Sequence, residues 1–212
     1  MHRLPDMTAL DLAALLASKV CHDLISPVGA IGNGLELLDD DADEETAKVA
    51  MDLVRASAAS ASAKLQFARI AWGAAGSSGA AIDTGDAEAV ARGWFAHEKK
   101  TTLDWRGPRS LMPKNRVKLL LNLLLVGLAA IPRGGRIDAA IEGEGETARF
   151  SVTATGTAAR VPPVFLDLLS GRHEGAVDAH VVQPLYTLKL AEACGMDVTA
   201  TLTGESVVFR AA

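Results

Sequence analysis

The residues with the clearest chemical promise are His22 and Asp23, inside Cys21-His22-Asp23-Leu24-Ile25-Ser26-Pro27. An imidazole is a capable nucleophile when one ring nitrogen donates a hydrogen bond and the other stays unprotonated. Asp23, directly adjacent, is placed to accept that bond. Gly29, Gly32 and Gly34 follow closely, and each costs about 1 kcal/mol against alanine in a helix interior. Pro27 removes a helical N–H and crowds the Asp23 carbonyl, which predicts a kink one turn beyond the histidine. Residues that weaken a helix around a histidine–acid pair suggest a site, where local rules give way to function. His97, His173 and His180 lack partners at metal-ligand spacing and read as ordinary surface or capping residues. Cys21 and Cys194 are too few for a disulfide framework or a zinc site, and Cys21 is expected as a buried thiol. Arg133-Gly134-Gly135-Arg136 reads as a turn rather than a phosphate loop, because no strand leads into it.

The element that must carry His22 is a long amphipathic helix over about 8–38. Its apolar seam is Leu10, Ala13, Leu16, Val20, Leu24, Val28, Ile31, Leu35 and Leu38, at steps of three and four. At about 100° per residue, His22 lies roughly 170° from the mean direction of that seam. Ser18, Ser26, Gly29 and Asn33 share the outer face, with Ile25 and Gly32 at its margin. An acidic turn over 39–43 should end this helix and cap the next, at 44–72. The second seam is Val49, Leu53, Ala56, Ser60, Ala63, Phe67 and Ile70, and its small middle predicts a close approach there. Two such helices make an antiparallel hairpin with half of each seam unpartnered. A second copy would complete a four-helix bundle; the alternative is that the rest of the chain folds back over the seam.

The small-residue run over 73–79 marks a boundary, dividing the chain into 1–75 and 80–212. Beyond it the pattern predicts helices over 86–99, 114–130, 164–169 and 180–193. Strands are expected over 102–105, 137–141, 148–153, 197–202 and 206–209. Helices interleaved with hairpin-linked strands imply a sheet covered by helices on one face, and an α+β class overall.

The composition fits this reading. With 212 residues and 49% hydrophobic side chains the chain can build one large domain or two small ones. A net charge of −5 without a basic cluster argues against nucleic acid as a direct ligand. The N-terminal residues lack the apolar core of a signal peptide, and no apolar run reaches bilayer length, so a soluble cytoplasmic protein is expected.

His22-Asp23-Leu24-x-Ser26-Pro27, with Ala30-Ile31 and Glu36-Leu37-Leu38, resembles the H-box of two-component histidine kinases. In that family this histidine is phosphorylated on a ring nitrogen, and its helix forms half of a dimeric bundle. The second half resembles the kinases' ATP-binding domain, an α/β sandwich, but departs from its motifs. Asn122 matches the first asparagine of a pair, whereas Val126 stands where the second would hold magnesium. Ala154 replaces the adenine-binding aspartate in Val152-Thr153-Ala154-Thr155-Gly156. Val181-Val182-Gln183-Pro184-Leu185 offers no glycine for a phosphate loop.

Over nearly its whole length the chain resembles the alphaproteobacterial histidine phosphotransferases, cell-cycle phosphorelay proteins. That resemblance implies a homodimer, with no cofactor of its own and no metal site. Phosphoryl groups would come from a receiver domain similar to that of the hybrid kinase CckA. They would pass to response regulators similar to CtrA and CpdR, with magnesium supplied by the receiver. His22 would be the nucleophile and Asp23 the group fixing its tautomer. Lys19 or a cation on the second helix would neutralise phosphate charge. Ile25, Ser26, Gly29, Gly32 and Asn33 would border the docked receiver. Two other readings stay open, an active histidine kinase and a non-catalytic dimeric scaffold for receivers.

Overall fold

The computed structural model describes residues 4–39, 43–74 and 81–212; the acidic turn at 40–42 and most of the small-residue linker lie outside them. Helix α1, Ala9–Asp39, starts where the Thr8 hydroxyl accepts the Asp11 N–H and donates to the Asp11 carboxylate. This is a reciprocal cap that satisfies an otherwise orphaned donor. Helix α2, Glu44–Ala71, is capped by Asp43, whose carboxylate accepts the Thr46 N–H at 2.7 Å. That bond holds the Asp43 carboxyl below its ordinary pKa. Helix α1 runs on through the buried Pro27, helical on both sides of it.

The two helices are antiparallel. Lys64 of α2 donates to the Asp23 carbonyl at 3.1 Å, while Gly34 of α1 faces Ala50 and Val54. A Cβ on Gly34 would stand 2.7 Å from Val54 Cγ2 and 3.2 Å from the Ala50 oxygen, so glycine is what permits this approach. The helices are therefore close at Ala50–Val54. The expected seam holds at the end of α2, where Phe67 and Ile70 are buried in the core with the second half; earlier the buried stripe is rotated by a residue, through Ala50, Ser57 and Ala61, while Val49 and Leu53 are exposed. On α1 the packed side runs through Pro27 and Gly34, and Leu10, Val28 and Leu35 stand in solvent. Among the described residues, Ala9–Leu38 is also long and apolar enough to cross a bilayer, with a mean hydropathy of 1.2, which the sequence reading did not anticipate.

The second half is a five-stranded sheet with helices packed on it. Its strands are β2 (Thr101–Arg106), β4 (Gly135–Glu142), β5 (Arg149–Thr155), β6 (Val198–Thr203) and β7 (Ser206–Ala211). They lie in the order β2-β4-β5-β7-β6, with β2 parallel to β4 and the other pairs antiparallel. Burial alternates along the central strands: Phe150, Val152 and Ala154 of β5 point inward beside Ile137 and Ala139 of β4 and Val207 and Phe209 of β7. Such alternation is the signature of a sheet covered on one face. Helix α4, Lys114–Ala130, lies on that face and is buried from Val117 to Gly127. A Cβ on Gly127 would sit 3.1 Å from Val152 Cγ1, which sets how closely α4 rests on the sheet.

Helices α3 (Thr84–Phe95), α5 (Pro163–Leu169) and α6 (Val182–Ala193) complete the layer. A second pair of short strands, β1 (Ala81–Asp83) and β3 (Leu111–Pro113), is antiparallel and was not anticipated from the sequence. Three-residue strands are too short to show an alternation that periodicity can detect.

Candidate functional site

The His22 side chain is 63% exposed, with Nδ1 3.4 Å from Asp23 Oδ1. Asp23 itself is only 13% exposed and forms an ion pair with Lys19, one turn earlier on α1. Lys19 in turn lies over the Trp72 ring at 5.7 Å, and Lys64 lies over Trp94 at the same distance. The carboxylate that orients the imidazole is thus itself held, by one lysine at its oxygens and another at its backbone. Nδ1 is the ring nitrogen turned toward Asp23, and Nε2 makes no hydrogen bond among the described residues. Lys19 is committed to Asp23 rather than free, and Cys21 is exposed, not buried as expected.

Ser18, Ile25, Ser26, Gly29, Gly32 and Asn33 all stand in solvent around His22, Ile25 at 73% exposure. A Cβ added at Gly29 or Gly32 would meet nothing within 4 Å. Nothing inside this chain therefore calls for glycine at either position, although each weakens the helix. Gly34 differs, since α2 explains it.

The second domain adds a group that local sequence gave no reason to expect here. The Asp178 carboxylate accepts the N–H groups of His180 and Val181, at 2.8 and 3.0 Å, just before α6. These bonds hold its carboxyl below the ordinary value. The His180 ring then meets the His22 ring edge to face, with centroids 5.8 Å apart and planes at 77°. His180 is thus an exposed surface residue, as one of the two expectations had it, and Asp178 caps the turn that leads into α6. Of the other histidines, His97 is half-buried after α3, and His173 Nε2 is buried without a hydrogen-bond partner.

The positions compared above with nucleotide motifs have another use. Asn122 is fully buried. Its Oδ1 accepts from Trp72 Nε1 at 2.8 Å and from Gln183 Nε2 at 3.2 Å, and its Nδ2 donates to the Lys118 and Ala71 carbonyls. Gln183 also donates to the Asn122 carbonyl and to Thr187 Oγ1. This network joins the end of α2 to α4 and α6, a joint between the two halves of the molecule. Val126 and Ala154 are buried in the apolar core. A nucleotide with its cation needs free oxygen ligands and close backbone approach, and these side chains do not fit that requirement. Among the described residues no group of three His, Cys, Asp or Glu could hold a metal.

An exposed histidine beside a carboxylate, on a helical hairpin joined to an α/β domain, is an arrangement suited to phosphotransfer. Comparison with known proteins agrees. Residues 84–206 match the family model of the histidine phosphotransferase C-terminal domain. The chain is 55% identical over 206 residues to the protein phosphotransferase ChpT of Brucella abortus (strain 2308), covering 97% of each. It superimposes on the 1.7 Å structure of a bacterial phosphotransferase with a TM-score of 0.92 at 52% identity, over 99% of this chain and 100% of that one. The chain belongs to the histidine phosphotransferase family.

Proposed function

We propose that this protein relays phosphoryl groups through phospho-His22, from the receiver domain of a CckA-like hybrid kinase to CtrA-like and CpdR-like response regulators. The observation that carries the reading is the state of one side chain: His22 is exposed, Nδ1 faces Asp23, and Nε2 is open. The Nε2 lone pair attacks the phosphorus of a receiver's aspartyl phosphate. The N–P bond forms as the acyl O–P bond breaks, and its electron pair leaves on the receiver's carboxylate. The proton on Nδ1 stays, hydrogen-bonded to Asp23. Return transfer to the next receiver is the same step reversed. Such transfer depends chiefly on alignment and charge stabilisation. The divalent cation is the receiver's, and ATP has no part.

Two further elements belong to the proposal. The exposed apolar stripe of Leu10, Val28 and Leu35 on α1, with Val49 and Leu53 on α2, is covered by a second copy, giving the four-helix bundle. The protein acts in the cytoplasm. Although Ala9–Leu38 is long enough to span a bilayer, Lys19, His22, Asp23 and Asn33 lie along its middle, and charged groups there are costly in lipid.

Transfer assays separate the alternatives. Wild-type protein should take label from a phosphorylated receiver, and His22→Ala should take none. Label from ATP and magnesium alone would instead indicate a kinase. Signalling left intact by His22→Ala would indicate a scaffold.

A further inference from the structure

His180 lies far from His22 in the chain and on a different domain, yet their rings are in contact. A separation of 5.8 Å is inside the roughly 4.5–7 Å range of paired rings. Folding does not account for His180. Its backbone is held by Asp178, its side chain is exposed, and its ring makes no hydrogen bond among the described residues. Its position, by contrast, is fixed. Val181 and Val182, which follow it, are buried, and Gln183 is locked into the Asn122 network one residue later. The joint between the domains thus delivers a free imidazole to the edge of the reactive one.

We infer that His180 is a second histidine of the phosphotransfer site, one that donates an N–H to the phosphoryl oxygens on His22 during transfer. This rests on the proposed relay role of His22. An imidazole carries at least one N–H in either protonation state. A donor aimed at developing phosphoryl charge strengthens the transition state more than the ground state. Lys19 is spent on Asp23 and Lys64 on the Asp23 carbonyl, so His180, whose ring makes no hydrogen bond among the described residues and feels only the charge of Asp178, is the donor beside the ring. Two histidines without a third ligand make a poor metal site, and none of three ligands occurs among the described residues.

The test uses phosphoramidate, a small donor that needs no docked receiver. Its P–N bond breaks, ammonia leaves, and the N–P bond forms on His22. The 212-residue chain is labelled as wild type, His22→Ala, His180→Ala and His180→Gln, with melting temperature recorded for each. We expect His180→Ala to label about tenfold or more slowly with unchanged melting, and His180→Gln, which keeps an N–H donor, to recover most of the rate. The same ordering should hold with a phosphorylated receiver as donor, in kcat rather than KM. Equal rates for wild type and His180→Ala overturn the inference while leaving the relay reading intact. Equal slowing of both His180 variants with lowered melting assigns His180 to structure and overturns it too. No label on wild type from either donor removes the relay reading, and this inference with it.

Discussion

Among the described residues, eight of the eleven large apolar side chains left exposed belong to the helical hairpin: Leu10, Ile25, Val28, Leu35, Leu37, Val49, Leu53 and Leu65. The α/β domain leaves only Leu111, Leu166 and Leu202. One region has spent its apolar surface on its own core, through α4 sandwiched between the sheet and its neighbouring helices. The other has kept much of it outside. The contrast teaches that the hairpin keeps apolar surface which its own fold does not use, as the proposed second copy and receiver would require, while the α/β domain has closed its own core.

The largest expected effect breaks the hairpin's half of this comparison. Val28→Asp with Leu35→Asp puts two charges on the exposed stripe. Burying each of these side chains stabilises by about 1.5–3 kcal/mol, and every 1.4 kcal/mol is about tenfold in affinity. Sedimentation should show a wild-type dimer and at least about a hundredfold weaker association in the variant, with helicity unchanged. A wild-type protein that remained monomeric at millimolar concentration would leave the stripe unexplained.

The next effect tests the joint between the two halves. Asn122→Ala strands Trp72 Nε1 in a largely buried setting and removes one acceptor of Gln183. An orphaned buried donor costs about 1–3 kcal/mol, so melting should fall by several degrees. Trp72 fluorescence should shift to the red, and amide exchange should rise at 71–74 and 118–123. Loss confined to the α/β domain, with Trp72 undisturbed, would mean that the joint is held by apolar packing alone.

How much of this was legible in the sequence follows the same division. The hairpin, its His22 face and nearly every strand and helix of the second half come from local periodicity and turn residues, and α4 is found at its expected ends. The misses have a common physical source. Which flank of α1 meets α2, and so the rotation of the first half of the α2 stripe, goes with the Gly34 approach. That is a property of two helices together. Asn122 and Gln183 stand where nucleotide motifs would, but their present use needs Trp72 from the other half of the molecule. His180 reads as a surface or capping residue from its place near a helix start, and its contact with His22 is made only by the tertiary fold.

The smallest effect concerns the hinge between the regions. The N–H groups of Val181 and His180 hold the Asp178 carboxyl below 3.8. A carboxyl depressed in the folded state adds stability above its unfolded pKa, about 3.9, and that contribution is lost as pH falls through the lower folded value. Carboxyl NMR should place the Asp178 midpoint below that of an ordinary aspartate. At neutral pH, Asp178→Asn keeps a side-chain oxygen for both N–H groups and should retain the contact, whereas Asp178→Ala should loosen it. If the rings stayed together in Asp178→Ala, the buried Val181 and Val182 would be enough to hold His180 in place. The tie between α/β domain and hairpin would then run through the core of α6 rather than through its capped turn.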